Sequence, residues 1–158
     1  MTGFSHLSDS GAARMVDVSG KQITVRTATA TGRVELSPEV IALLRGAGMP
    51  KGDALAVARI AGIQAAKRTP DLIPLCHPIS IHGVEVDLEV QDDHVFISAT
   101  VRTADRTGVE MEALTSVSVA ALALIDMVKA VDPAAVVNQV RVEEKTGGSS
   151  GPWLRGSA

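Results

Sequence analysis

Between residues 23 and 36 the side chains alternate in character, with Val25, Thr27, Thr29 and Thr31 on every second position, the period of a half-buried strand. The period changes at Ser37-Pro38-Glu39. Serine suits a helix N-cap, proline the first helical position, and glutamate the positive end of the helix dipole, so a helix is predicted up to about Gly46-Ala47-Gly48. Asp53 caps a second predicted helix that runs to about Arg68, ahead of Pro70. Two further alternating runs, 79–90 and 94–103, flank Gln91-Asp92-Asp93 and predict a hairpin. Thr107-Gly108-Val109-Glu110 has the spacing of a capping box and opens a helix to about Val131, before Pro133. A last strand is predicted over 136–143.

The order strand, helices, strand, strand, helix, strand predicts an α+β, ferredoxin-like fold, a four-stranded antiparallel sheet with helices on one face. Residues 1–14 are polar and aperiodic and 147–158 are rich in Gly and Ser, so both are expected as flexible tails around a single domain at 15–146. On the long helix, Leu114, Val117, Ala121, Leu124, Val128 and Val131 form a stripe that suits a sheet. Val119, Leu122 and Ala123 make its other faces apolar too, and no charge occurs between Ala113 and Ile125. A helix apolar all round is buried all round, and a second copy of the chain is the expected second cover. The chain is therefore expected to be a homo-oligomer.

Composition narrows the function. The 158 residues are 46% hydrophobic and 21% charged, as in ordinary soluble domains. Aromatic residues make up 2%, with no Tyr, and the net charge is −3, so neither base-stacking platforms nor a basic footprint for nucleic acid is present. The first fifteen residues show no apolar core of a secretory signal, and the uncharged run from Ala113 to Ile125 is short for a bilayer. No membrane association is expected, and a cytoplasmic location is. Cys76 is the single cysteine, which excludes an intrachain disulfide. His6, His82 and His94 lack ligand spacing relative to it, so no metal site is predicted.

Several residues invite two readings. Asp126 and Lys129 are three apart on a predicted helix, which makes an i,i+3 ion pair or, at the end of an apolar segment, an acid/base pair. Lys51 precedes Gly52 and a helix cap, and is either an exposed loop lysine or a proton carrier. Cys76-His77 is either a small buried thiol beside a loop imidazole or a reactive pair. Glu110, Met111 and Glu112 have structural accounts as cap, core and first-turn carboxylate. Lys67 and Arg68 suit a helix C-terminus.

Longer blocks favour the chemical readings. Residues 58–78 read ARIAGIQAAKRTPDLIPLCHP, residues 107–115 read TGVEMEALT, and 126–131 read DMVKAV. Met15-Val16-Asp17-Val18-Ser19 and Lys51-Gly52-Asp53 precede them. In this order, from about 15 to 151, the chain resembles the cyclic pyranopterin monophosphate synthases, the molybdenum cofactor biosynthesis protein C family. The resemblance implies a lyase that rearranges the GTP-derived 3′,8-cyclo-7,8-dihydroguanosine triphosphate to cyclic pyranopterin monophosphate with release of pyrophosphate. It implies catalysis by Lys51, Asp126 and Lys129, and substrate contacts from Leu75, Cys76, His77, Met111 and Glu112, with Glu110 beside them. Arg26, Lys67 and Lys145 are the candidate cations for the triphosphate. It implies no cofactor beyond room for magnesium on the triphosphate, and a hexamer built from dimers. Ser149 stands where the family commonly has lysine, which removes one phosphate contact.

Two other classes fit the same topology. A ligand-sensing regulatory domain would not need Lys51, Asp126 and Lys129 together, and an RNA-binding module would need sheet aromatics where only Phe96 occurs. One length decides a further expectation. Glu112 and Asp126 are fourteen residues apart on one predicted helix, roughly 21 Å along its axis, too far for one small ring system to touch both. The expected site is composite, with the LCHP loop and Met111-Glu112 from one subunit and Asp126-Lys129 from another.

Overall fold

A computed structural model describes residues 4–46 and 53–156. Strand β1 (Thr24–Glu35) leads into α1 (Pro38–Arg45), then α2 (Ala54–Lys67) and a one-turn α3 (Thr69–Leu72). Strands β2 (Ile81–Val90) and β3 (His94–Asp105) precede α4 (Glu110–Val128), β4 (Val136–Thr146) and a two-residue β5 (Trp153–Leu154). The sheet order is β2-β3-β1-β4-β5 and every pairing is antiparallel, which is the ferredoxin-like arrangement with one short strand added at an edge.

The alternation seen in the sequence sorts the two faces of the sheet. Ala28 pairs with Val101, Ala30 with Ala99 and Val34 with Val95, and all six are buried. Gly32 lies on the same face, where an added Cβ would come within 2.7 Å of Val117 on α4. The neighbouring residues Thr27, Thr29 and Thr31 face the other way, with Thr29 hydrogen-bonded to Thr100 across β3 and Thr31 to Glu143 on β4. Fully buried Ile97 and Leu124 anchor the space between sheet and α4, each contributing about 1.5–3 kcal/mol of hydrophobic stabilisation.

The hydrogen bonds explain the helix starts. Ser37 Oγ accepts the Val40 amide at 3.5 Å, and Asp53 Oδ1 accepts the Ala56 amide at 3.0 Å. Pro70 does end α2, but it sits in the first turn of α3, where proline needs no amide partner. The capping box at Thr107 does not form. Val109 is the N-cap of α4 without a side-chain bond, because the Glu110 carboxylate goes to the Lys145 ammonium at 2.8 Å. Both partners of this bond are charged, which adds Coulomb attraction that a neutral amide donor lacks.

α4 also differs from expectation in what covers it. Val117, Ala121, Leu124 and Val128 are buried, as the stripe requires, whereas Val131 lies beyond the helix and is 40% exposed. The second cover is α2 of the same chain. Gly62 allows the approach: a Cβ there would come within 3.0 Å of the Ser116 carbonyl and 3.2 Å of Ala120. A third stripe stays open, with Leu122 59% exposed. All-round apolarity is thus met largely within one chain and does not by itself require a partner. The 19-residue α4 is long and apolar enough to cross a bilayer, with a mean hydropathy of 1.7 over its most apolar 18 residues, but 50% of that stretch is buried within the fold, as in a core helix.

The terminal segments carry structure as well. Leu7 bridges Ala13, and Trp153–Leu154 pairs with Lys145 and Glu144 on β4. Arg155 fixes that end with bonds to the Val142 and Glu143 carbonyls and a guanidinium 5.4 Å from the Trp153 ring centre.

Candidate active site

The loop after α3 and the first turn of α4 meet at a cavity of about 380 Å³. Leu75, Cys76, His77, Glu110, Met111 and Glu112 all line it, so six of the twelve candidates from the sequence converge at one place. Two bonds hold the loop. The Cys76 amide donates to the Ile73 carbonyl at 3.0 Å, and His77 Nε2 lies 2.6 Å from the Val16 carbonyl. A carbonyl accepts only, so His77 carries its proton on Nε2 when neutral, leaving Nδ1 as the lone-pair nitrogen.

Glu112 is the unusual group. It is 3% exposed, and among the described residues no cation lies within ion-pairing distance. Burial, opposed by its own backbone N–H and reinforced by the neighbouring Glu110 carboxylate, raises its pKa from 4.5 to about 7. Burial and then the Glu112 charge push the Cys76 thiol upward too. Near neutral pH the pair is therefore a thiol beside a carboxyl that readily takes or gives a proton. It is not a thiolate nucleophile.

Lys21 links this cavity to a second of about 350 Å³, which Thr24, Arg26, Gly148 and Ser149 also line. Arg26 Nε donates to the Asp105 carbonyl at 3.0 Å. A Cβ on Gly148 would meet Arg26 Nη1 at 2.4 Å, and its φ of +79° also favours glycine. Lys145 borders the first cavity through its ion pair with Glu110. Lys67 does not join them. It ends α2 and lines a separate depression of about 400 Å³ with Ile81, His82 and Val84.

Asp126 and Lys129 lie at the other end of α4, with Nζ 2.5 Å from Oδ1 and side chains 66% and 59% exposed. They line none of these cavities. Lys51 falls outside the described residues. Among the described residues, no group of three or more His, Cys, Asp or Glu side chains is placed to hold a metal ion.

Residues 15–148 of this chain match the MoaC family. The chain belongs to that family. It is 72% identical over 151 residues to the cyclic pyranopterin monophosphate synthase of Streptomyces avermitilis, covering 96% of this chain and 89% of the relative. A synthase of the same name from a Nocardioides species is 71% identical over 154 residues, covering 96% and 94%. Cyclic pyranopterin monophosphate synthase 2 of Mycobacterium tuberculosis is 58% identical over 151 residues, covering 96% and 90%. The MoaC match spans both cavities except for Ser5, His6 and Ser149.

Sequence reasoning missed Ser5, His6, Val16, Val18 and Lys21, all on the walls of the first cavity. The MVDVS block carried a signal for Val16 and Val18. Lys21, two residues past that block, stood as an unremarked loop lysine. Ser5 and His6 lie in a stretch with no periodicity, where local pattern says nothing about long-range contact.

Proposed function

We propose that this chain is a lyase that converts 3′,8-cyclo-7,8-dihydroguanosine triphosphate to cyclic pyranopterin monophosphate and pyrophosphate, a step of molybdenum cofactor biosynthesis. The observation that carries the reading is the convergence of Leu75-Cys76-His77 and Glu110-Met111-Glu112 on one cavity in a MoaC chain. The cavity suits the guanine-derived ring, with buried Glu112 facing ring N–H or carbonyl groups. The Lys21-Arg26 cavity suits the triphosphate, with Lys145 adjacent and magnesium accompanying the phosphates.

Forming a cyclic monophosphate from a triphosphate dictates the demands on the site. A substrate hydroxyl oxygen bonds to the α-phosphorus, the bond to the pyrophosphate oxygen breaks, and the hydroxyl proton leaves to a base. Lys51, Asp126 and Lys129 are the groups assigned to proton transfer and charge neutralisation. Incubation with the cyclic dihydro-GTP substrate tests the reading, with stoichiometric pyrophosphate and a pterin product expected. Tight binding without turnover would favour a regulatory ligand-binding domain.

The 14-residue separation of Glu112 and Asp126 along α4 supports a composite site in a homo-oligomer, a hexamer built from dimers. Glu112→Ala and Asp126→Ala proteins, each inactive alone, are expected to regain part of their turnover when mixed and allowed to exchange subunits. Verified exchange without recovery would rule out a shared site. A cytoplasmic location goes with a soluble substrate of this kind.

A further inference from the structure

The N-terminal strap, residues 4–18, lies against the cavity without being packed into the fold. It is internally bonded: the Ser8 amide donates to the Ala12 carbonyl at 2.8 Å, the Gly11 amide to the Ser8 carbonyl at 2.9 Å, and the Arg14 amide to the His6 carbonyl at 2.9 Å. Almost none of it is buried. Phe4 is 85% exposed and Met15 50%, so little apolar area opposes its movement. Segments with few buried contacts and solvent-exposed hydrogen bonds open at small cost in free energy. Yet Ser5 and His6 line the same cavity as Cys76, Met111 and Glu112. Further along, Val16, Val18 and His77 line both this cavity and a neighbouring one of about 490 Å³ that includes Met15, Asp17 and Ser19. The strap is thus the partition between two spaces, tethered where the Val16 carbonyl meets His77 Nε2.

We propose that this strap is a ligand-responsive wall of the active site and that His6 is a substrate contact, resting on the function proposed above. With Nδ1 of His6 3.3 Å from the Arg14 carbonyl, Nε2 is the ring nitrogen left for a ligand. A nucleotide bound in the cavity reaches His6 and Ser5 only while the strap lies against it. It therefore favours the closed strap by the difference in its affinity for the two arrangements. His77 couples the two events, because its Nε2 holds the strap while its side chain also lines the cavity. The strap selects for a ligand long enough to reach from Glu112 to His6, which is a whole nucleotide and not a free base.

Two measurements on the full-length chain test this. Trypsin cleavage after Arg14, followed by mass, is expected to slow at least fivefold in saturating GTP, which carries the guanine and triphosphate of the substrate. Calorimetry on the same sample establishes saturation. In turnover, deletion of residues 2–14 and the single change His6→Ala are each expected to raise KM at least tenfold with Tm unchanged, since the strap buries little. Unchanged cleavage under proven saturation, together with unchanged KM in the truncated enzyme, overturns the strap while leaving the proposed function intact. A full-length chain that binds no GTP and turns over no substrate overturns both.

Discussion

The two ends of α4 solve opposite problems. At its N-terminal end Glu112 is buried in a walled cavity, without a cation partner among the described residues. At its C-terminal end Asp126 and Lys129 form an ion pair with largely exposed side chains, away from the cavities described above. A buried carboxylate without a cation destabilises a fold and persists only where something else uses it. An exposed i,i+3 pair contributes a few tenths of a kcal/mol and explains almost nothing about stability. The composite site proposed above would bring the two ends together.

The largest effect should come from the exposed end. Asp126→Ala is expected to reduce turnover by at least tenfold, about 1.4 kcal/mol in the barrier, while unfolding free energy changes by less than about 1 kcal/mol. Near wild-type turnover in the folded variant would reduce this pair to surface decoration and break the contrast between the ends.

The buried end is read through pH. Because the folded pKa of Glu112, about 7, lies above its ordinary 4.5, the folded state holds a proton that the unfolded chain releases between those values. Stability from this group is therefore full below about pH 4.5 and declines as pH rises through 7. Glu112→Gln should be the more stable protein at pH 8, by up to about 3 kcal/mol, with the advantage gone at pH 4. Equal melting temperatures for the two proteins at pH 8 would show that Glu112 is not a strained acid.

The smallest expected effect is none. Chelation of transition metals, followed by magnesium replenishment, should leave both Tm and turnover unchanged. A loss of Tm on chelation alone would point to a metal holding one of the two ends.

Much of the fold was legible because its signals are local. Alternation at 23–36 and 94–103 predicted β1 and β3 to within two residues, and Ser37 and Asp53 cap as their positions suggest. The capping box failed because Lys145, thirty-five residues downstream on β4, outcompetes a local amide for Glu110. β5 failed for a related reason: a two-residue strand is defined by the edge it meets and has no pattern of its own. At the site, the LCHP and EME segments were legible as blocks, and the structure brings them together. The strap was not, since polar residues that line a cavity from outside the core leave no periodic trace. Lys67 lines a different depression of the same chain.

The tight crossing of α2 and α4 at Gly62 works as a fulcrum. α4 spans about 28 Å, and Ser116 and Ala120 touch α2 near its midpoint, so each functional end is a lever arm of some 14 Å. A side chain at position 62 that tilts the helix by a few degrees swings Glu112 and Asp126 in opposite directions by close to an ångström. Displacements of that size cost enzymes about a hundredfold in rate. A residue at the helix crossing thereby sets the alignment of both ends of α4, and, if the site proposed above is the active one, drift at this glycine would register as lost catalysis before it registered as lost folding.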